Sequence, residues 1–231
     1  MTEELLKEAA ALEKYGHLEQ ALNSYGRILE MDNGNAEAWC AKGRVESRLE
    51  RYDEALKSYQ RALELRPDFA RAWCNLGIVL QVLDRDDEAL EALDRAISLD
   101  PNCYEAWYNK GLALRDLARY EESLAALEQA VVLKPDENDP WYSKGVTLRL
   151  MGRLDEALEA FEKTLEIYED DAEAWFEKAK VHLLKGDEPA ALNSLLKAVD
   201  IYEEYRERAR EDEDFMPLRG NPDFLKLVGG A

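Results

Sequence analysis

The chain has 231 residues, with 50 Asp and Glu against 30 Lys and Arg, a formal net charge of -20. That balance excludes a role that depends on neutralising nucleic-acid phosphates, and it would repel an anionic membrane surface. With 46% hydrophobic residues there is ample apolar material to bury, yet no apolar run approaches the roughly 20 residues needed to span a bilayer.

Taken in order, the N-terminal Met1-Thr2-Glu3-Glu4 lacks the basic and apolar regions of a leader peptide, so a cytoplasmic protein is expected. From Thr2 to Tyr205 the sequence then repeats itself with a period of 34 residues, without insertion or deletion. Trp39, Trp73, Trp107, Trp141 and Trp175 mark the period, with Leu5 in the first copy. Gly43, Gly77, Gly111 and Gly145 follow four residues after their tryptophans. A fixed period of this length marks a stack of supersecondary units, each too small to bury its own apolar face. The units are 2–35, 36–69, 70–103, 104–137, 138–171 and 172–205, leaving 206–231 as a C-terminal segment.

Each unit predicts two helices. In the third, Arg71 to Leu83 places Ala72, Leu76, Val79, Leu80 and Leu83 at helical spacing. Asp84-Arg85-Asp86 is a polar turn, and Asp87 to Leu99 is a second helix with Ala89, Leu90, Leu93 and Ala96 on one side. Pro101 stops the unit. Glycine inside a helix costs about 1 kcal/mol relative to alanine, so its recurrence predicts close approach of the paired helix. Beyond Tyr205 the period ends. Arg206 to Asp214 reads as helix, and Phe215, Leu218, Phe224 and Leu227 are apolar enough to cover the last unit, with Asn221 capping a final turn.

Trp, Gly four residues on, two spaced alanines and a terminal Pro in a 34-residue helix–turn–helix resemble the tetratricopeptide repeat. The resemblance implies an all-α, right-handed superhelical solenoid of antiparallel helix pairs, six repeats plus a C-terminal capping segment. It also implies that first helices line a concave groove that holds an extended segment of a partner protein or peptide. Carried onto this chain, the groove residues are Arg44, Asn75, Ile78, Tyr108, Asn109, Leu112, Arg115, Tyr142, Val146, Arg149, Phe176 and Lys180. Tyr108, Tyr142 and Phe176 form a solvent-facing aromatic strip in this reading, and Arg115 and Arg149 either take a ligand carboxylate bidentately or pair within the chain. Asn75 and Asn109 resemble two rungs of the asparagine ladder in the repeat arm of O-linked N-acetylglucosamine transferases. The cations of a chaperone-tail clamp are missing at the matching positions.

No phosphate-binding, nucleophile-elbow, zinc-protease or C-x-x-C motif is present, and His17 and His182 lie in distant repeats. The expectation is a non-catalytic interaction scaffold without cofactor or metal, monomeric or weakly self-associating through its ends. The alternative is a substrate-presenting arm of a glycosyltransferase-type complex. Cys40 and Cys74 occupy equivalent places in consecutive repeats, about one helix spacing apart, and are expected to be free thiols.

Overall fold

A computed structural model describes residues 2–229. The chain divides between Ala118 and Arg119 into two compact units. The N-terminal unit contains α1 (Thr2–Lys14), α2 (Leu18–Met31), α3 (Ala36–Arg48), α4 (Tyr52–Leu65), α5 (Ala70–Val82), α6 (Asp86–Leu99) and α7 (Tyr104–Asp116). The C-terminal unit contains α8 (Tyr120–Leu133), α9 (Asn138–Leu150), α10 (Leu154–Ile167), α11 (Ala172–Leu184) and α12 (Glu188–Ile201). It continues through α13 (Tyr205–Glu211), a 3-10 helix (Glu213–Gly220) and α14 (Pro222–Gly229). The fold is all-α, and among the described residues there is no strand. The expected helices of the third unit lie within one residue of α5 and α6 at each end.

The periodic residues explain the packing. Ala55, Ala62, Ala89 and Ala96 are fully buried, presenting a surface without projections to the neighbouring helix. The glycines complete it. A Cβ on Gly77 would lie 2.6 Å from Leu93 Cγ, and one on Gly145 would lie 2.7 Å from the Phe161 ring, so only glycine admits those side chains. Tyr25, Tyr59 and Phe161, at the same place in the first, second and fifth pairs, fill the space between helices and are at most 1% exposed.

The tryptophans are only half-buried. Each indole N–H donates to the carbonyl six residues earlier: Asn33, Pro67, Pro101, Pro135 and Glu169, at 2.8–3.1 Å. Those carbonyls sit in the loop that enters the helix, so tryptophan ties each helix pair to the next. A lysine three residues on lies over the ring at Trp39, Trp107, Trp141 and Trp175, 5.1–5.6 Å from its centroid.

Within each pair the turn needs one left-handed residue. Gly16, Gly152 and Gly186 fill that place with φ of 73–81°. Glu50, Asp84 and Ala118 do so with φ of 55–59°, where a Cβ is strained.

In the C-terminal unit, Phe215, Leu218, Phe224 and Val228 are buried against Phe176, Leu195, Ala198 and Val199 of α11 and α12, with Leu227 packed beside them. Asn221 Oδ1 accepts from the Asp223 and Phe224 amides, at 2.9 and 3.4 Å, and so caps α14. The covering residues are those the sequence indicates, but α13 is separate from α12, which ends at Ile201.

Candidate functional site

In the N-terminal unit the first helix of each pair, with the loops that enter them, lines an open cavity of about 1090 Å³. Ala10 of α1, Arg44 of α3, Arg71 and Asn75 of α5, and Glu105 of α7 contribute to its wall. Its charged residues are Arg44, Arg66 and Arg71 against Glu37, Asp68, Asp100 and Glu105, close to neutral in a molecule of charge -20. A smaller hollow of about 270 Å³ is shared by Arg44, Asn75, Ile78 and Tyr59. The spacing of α3 and α5 thus brings Arg44, Asn75 and Ile78 together.

The side chains differ in what they leave available. Arg44 is clamped by Glu13, which is buried, through contacts of 2.6 and 2.7 Å to its two oxygens. Glu13 also accepts from Tyr25 Oη at 3.3 Å, and burial with this neighbouring carboxylate pushes the Tyr25 phenol up to about 12. Arg66 lies flat over Phe69, 3.5 Å from the ring centroid, and reaches Glu37 at 3.3 Å. Asn75 Nδ2 is 4.0 Å from Cys40 Sγ, and among the described residues its amide oxygen accepts no hydrogen bond. Asn109 is different: its Nδ2 donates back to the Glu105 carbonyl at 2.7 Å, which draws one rung of the expected amide pair onto its own helix. Tyr108 stacks on Tyr104 with rings parallel and 5.9 Å apart, and Leu112 is half-buried. Arg115 pairs with Asp116 at 3.1 Å, the intramolecular alternative.

In the C-terminal unit, Tyr142 packs tilted against Phe161 at 5.9 Å, and Val146 lies half-buried beside the same core. Three further positions depart from a solvent-facing groove. Phe176 is fully buried, its ring 5.2 Å from Tyr205 and 5.1 Å from Phe215, because the C-terminal segment closes over α11. Arg149 meets the buried Glu177 at 2.8 Å. Lys180 meets Asp212 at 2.7 Å, Glu177 at 3.4 Å and Asp214 at 3.5 Å. Asp214 is also 4.0 Å from Arg149. Glu177 of α11 holds Arg149, and Glu177 with the segment's Asp212 and Asp214 holds Lys180, so both cations that sequence position alone assigns to a ligand are paired within the chain.

Tetratricopeptide repeat models match residues 43–84, 83–140 and 136–204, together well over half of the chain. The chain belongs to the tetratricopeptide repeat family. Its solved relatives include YrrB, a tetratricopeptide repeat protein with an unusual peptide-binding site, 25% identical. YrrB superposes with a TM-score of 0.68 over 81% of this chain and 98% of its own. PilW, a type IV pilus biogenesis factor, shares the fold at 22% identity and TM-score 0.78, over 94% of this chain and 97% of its own. Pseudomonas aeruginosa pilF does so at 20% identity and TM-score 0.79, over 91% and 97%. No protein of curated function matches.

The tetratricopeptide fold makes the chain a protein-interaction scaffold. Among the described residues no helix is long and apolar enough to cross a membrane.

Two kinds of site residue escape the family pattern. Glu13 lies in the most divergent repeat, and only the fold carries it across to Arg44. Cys103 falls in the row Asn35, Phe69, Cys103, Glu137, Asp171, which precedes the first helix of successive units. The 34-residue ruler reaches that row, but a family pattern centred on Trp and Gly passes over it.

Proposed function

We propose that the protein is a non-catalytic scaffold that binds an extended segment of a partner protein in the cavity of its N-terminal unit. The observation that carries this reading is the cavity's wall. It is open, near neutral, and combines the exposed Arg71, which forms no ion pair among the described residues, with the half-exposed amide of Asn75. An amide both donates to and accepts from a peptide backbone, which gives affinity without demanding a particular sequence. Arg71 supplies charge-assisted bonding to an acidic side chain of the ligand. The carboxylates Glu37, Asp68, Asp100 and Glu105 favour a ligand of mixed charge over a polyanion. Ile78 extends the wall, and Tyr108, Leu112 and Arg115 continue it along one face of α7, where residues three and four apart are neighbours. YrrB's peptide-binding site supports the same use of the fold.

The scaffold is built of repeats 2–35, 36–69, 70–103, 104–137, 138–171 and 172–205, with 206–231 as the cap. In this reading Arg149, Phe176 and Lys180 serve the cap, and ligand contact falls on the N-terminal unit.

The test uses peptides selected from a random display library against the wild-type chain. Their affinity is then measured by calorimetry for Asn75→Ala with Arg71→Glu, and for the outer-helix control Glu91→Lys. The proposal expects at least a tenfold loss in the double variant, equivalent to about 1.4 kcal/mol, and none in the control. Equal binding by all three proteins would remove the cavity from the function.

A further inference from the structure

The hollow of about 270 Å³ in the N-terminal unit shares Arg44 and Asn75 with the larger cavity. The buried Tyr59 and Val79 and the half-buried Tyr52 and Ile78 line it, together with Val82 at the end of α5. Val82 is 51% exposed. Elsewhere in the N-terminal unit the same place of the repeat holds Lys14, Arg48 and Asp116, all charged. An apolar side chain there, joined to four others around an open hollow, is part of a patch and not a scattered surface residue.

The hollow is positively charged in a molecule of net charge -20. Among the described residues, the charged side chains that line it are Arg44 and Arg48, and both turn to Glu13. Arg44 grips the Glu13 carboxylate through Nε and Nη2, at 2.6 and 2.7 Å. Arg48 donates Nη1 to the Glu13 carbonyl at 3.0 Å and lies 3.8 Å from the carboxylate. Two cations against one anion leave an excess of one positive charge. Arg48 carries it outward, since its side chain is 46% exposed and Arg44 already takes both carboxylate oxygens. A guanidinium beside an apolar surface suits a carboxylate, because partial desolvation strengthens the contact.

The C-terminal unit shows what the first helices of this chain hold. Lys180 of α11 stands at the same place of the repeat as Arg44, four units later. It takes Asp212 at 2.7 Å and Asp214 at 3.5 Å, while the Phe215 ring packs 5.1 Å from Phe176 of the same helix. There an aromatic residue with acidic neighbours comes from the chain itself. At the N-terminal hollow it has to come from a partner.

We propose that this hollow is the anchor subsite of the N-terminal unit's cavity. It takes one bulky apolar side chain of the partner segment, and an acidic residue within three positions of that anchor pairs with Arg48. The inference rests on segment binding in the cavity and adds what the segment must carry. Asn75, common to both spaces, bonds the backbone between the anchor and the part that lies in the larger cavity. The amide serves any sequence; the hollow selects among them.

The test takes the library peptides selected on the wild-type chain and measures their affinities by calorimetry. They are expected to share a Phe, Trp, Leu or Met with an Asp or Glu within three positions of it. Val82→Asp should weaken binding at least about tenfold, and the same change at the exposed Val132 of α8 should leave it unaltered. Replacing the peptide's apolar anchor by Ala should cost the wild type a similar factor. Val82→Asp should then add little, because both changes remove one contact. Arg48→Gln should weaken the acidic peptide about threefold and spare its amide counterpart. Selected peptides without the shared pair, wild-type affinity in Val82→Asp, or losses that simply add would each overturn the subsite. If Asn75→Ala with Arg71→Glu still weakens binding in those cases, the cavity keeps its role and only the anchor falls. Binding that none of these variants alters would remove both.

Discussion

Gly77 shows how one missing side chain sets the distance between helices. The added methyl of Gly77→Ala would gain about 1 kcal/mol in helix propensity. It would also have to displace Leu93 from 2.6 Å and approach the Ala89 carbonyl at 3.2 Å, and overpacking of that kind costs about 1–3 kcal/mol. The clash wins, so Gly77→Ala is expected to lower stability in thermal unfolding despite its better propensity. Glu50 is the converse. It is exposed and strained at φ 59°, in a place that Gly16, Gly152 and Gly186 fill without strain. Glu50→Gly is expected to raise stability by ~0.5–1 kcal/mol, after allowing for the greater freedom glycine gives the unfolded chain. A loss of stability would show that the turn is not held in that conformation. Gly77 was legible because its cost recurs at a fixed period; the strain at Glu50 was not, because neither charge nor polarity reveals the sign of φ.

At the scale of the element, the C-terminal segment is the part whose role changed most between sequence and structure. Its apolar residues could be read as a cover, because Phe215, Leu218 and Phe224 have no periodic place to go. Its charges could not. Glu173 of α11 receives Arg208 of α13 through contacts of 2.6 and 2.9 Å, and Tyr205 Oη at 2.6 Å. The Arg208 guanidinium, with the Tyr205 hydroxyl, holds the Glu173 carboxyl below its ordinary range although burial opposes this. A carboxylate lowered in the folded state stabilises fully above its unfolded value of about 4.3, and that contribution is lost as pH falls through the lower folded value. Amide protection in Tyr205–Glu211, corrected for intrinsic exchange, is therefore expected to fall below about pH 4, while α12 keeps its own. Glu173→Gln should show the weaker protection already at neutral pH. Identical protection in the variant and the parent would mean that apolar burial alone holds α13.

At the scale of the whole molecule, 50 acidic residues against 30 basic ones leave an excess that pairing within the chain cannot remove. Ion pairs such as Arg85–Glu88 and Arg153–Glu156 are exposed and each contribute little. Screening should therefore relieve more repulsion than it weakens attraction. The melting temperature is expected to rise as salt goes from about 0.01 M to about 0.15 M, where the Debye length shortens from about 30 Å to about 8 Å. A fall would mean that the surface pairs outweigh the net charge. The helix pairs were readable at this scale because one period carries propensity, small-residue packing and stop signals together. The groove was less readable, since a repeat position states which way a side chain starts out and not whether another segment already occupies it. Phe176 and Lys180 fit the groove rows yet serve the cap, while Arg66 and Cys103 line the cavity from the loops between repeats.

The central claim is that a partner segment lies in the N-terminal unit's cavity. The most direct measurement places a photo-reactive group on a library-selected peptide, irradiates the complex, and maps the attachment sites by mass spectrometry. The account predicts attachment on α3, α5 and the start of α7, concentrated around Arg71 and Asn75. Attachment confined to the second helices α2, α4 and α6 or to the C-terminal segment would contradict it.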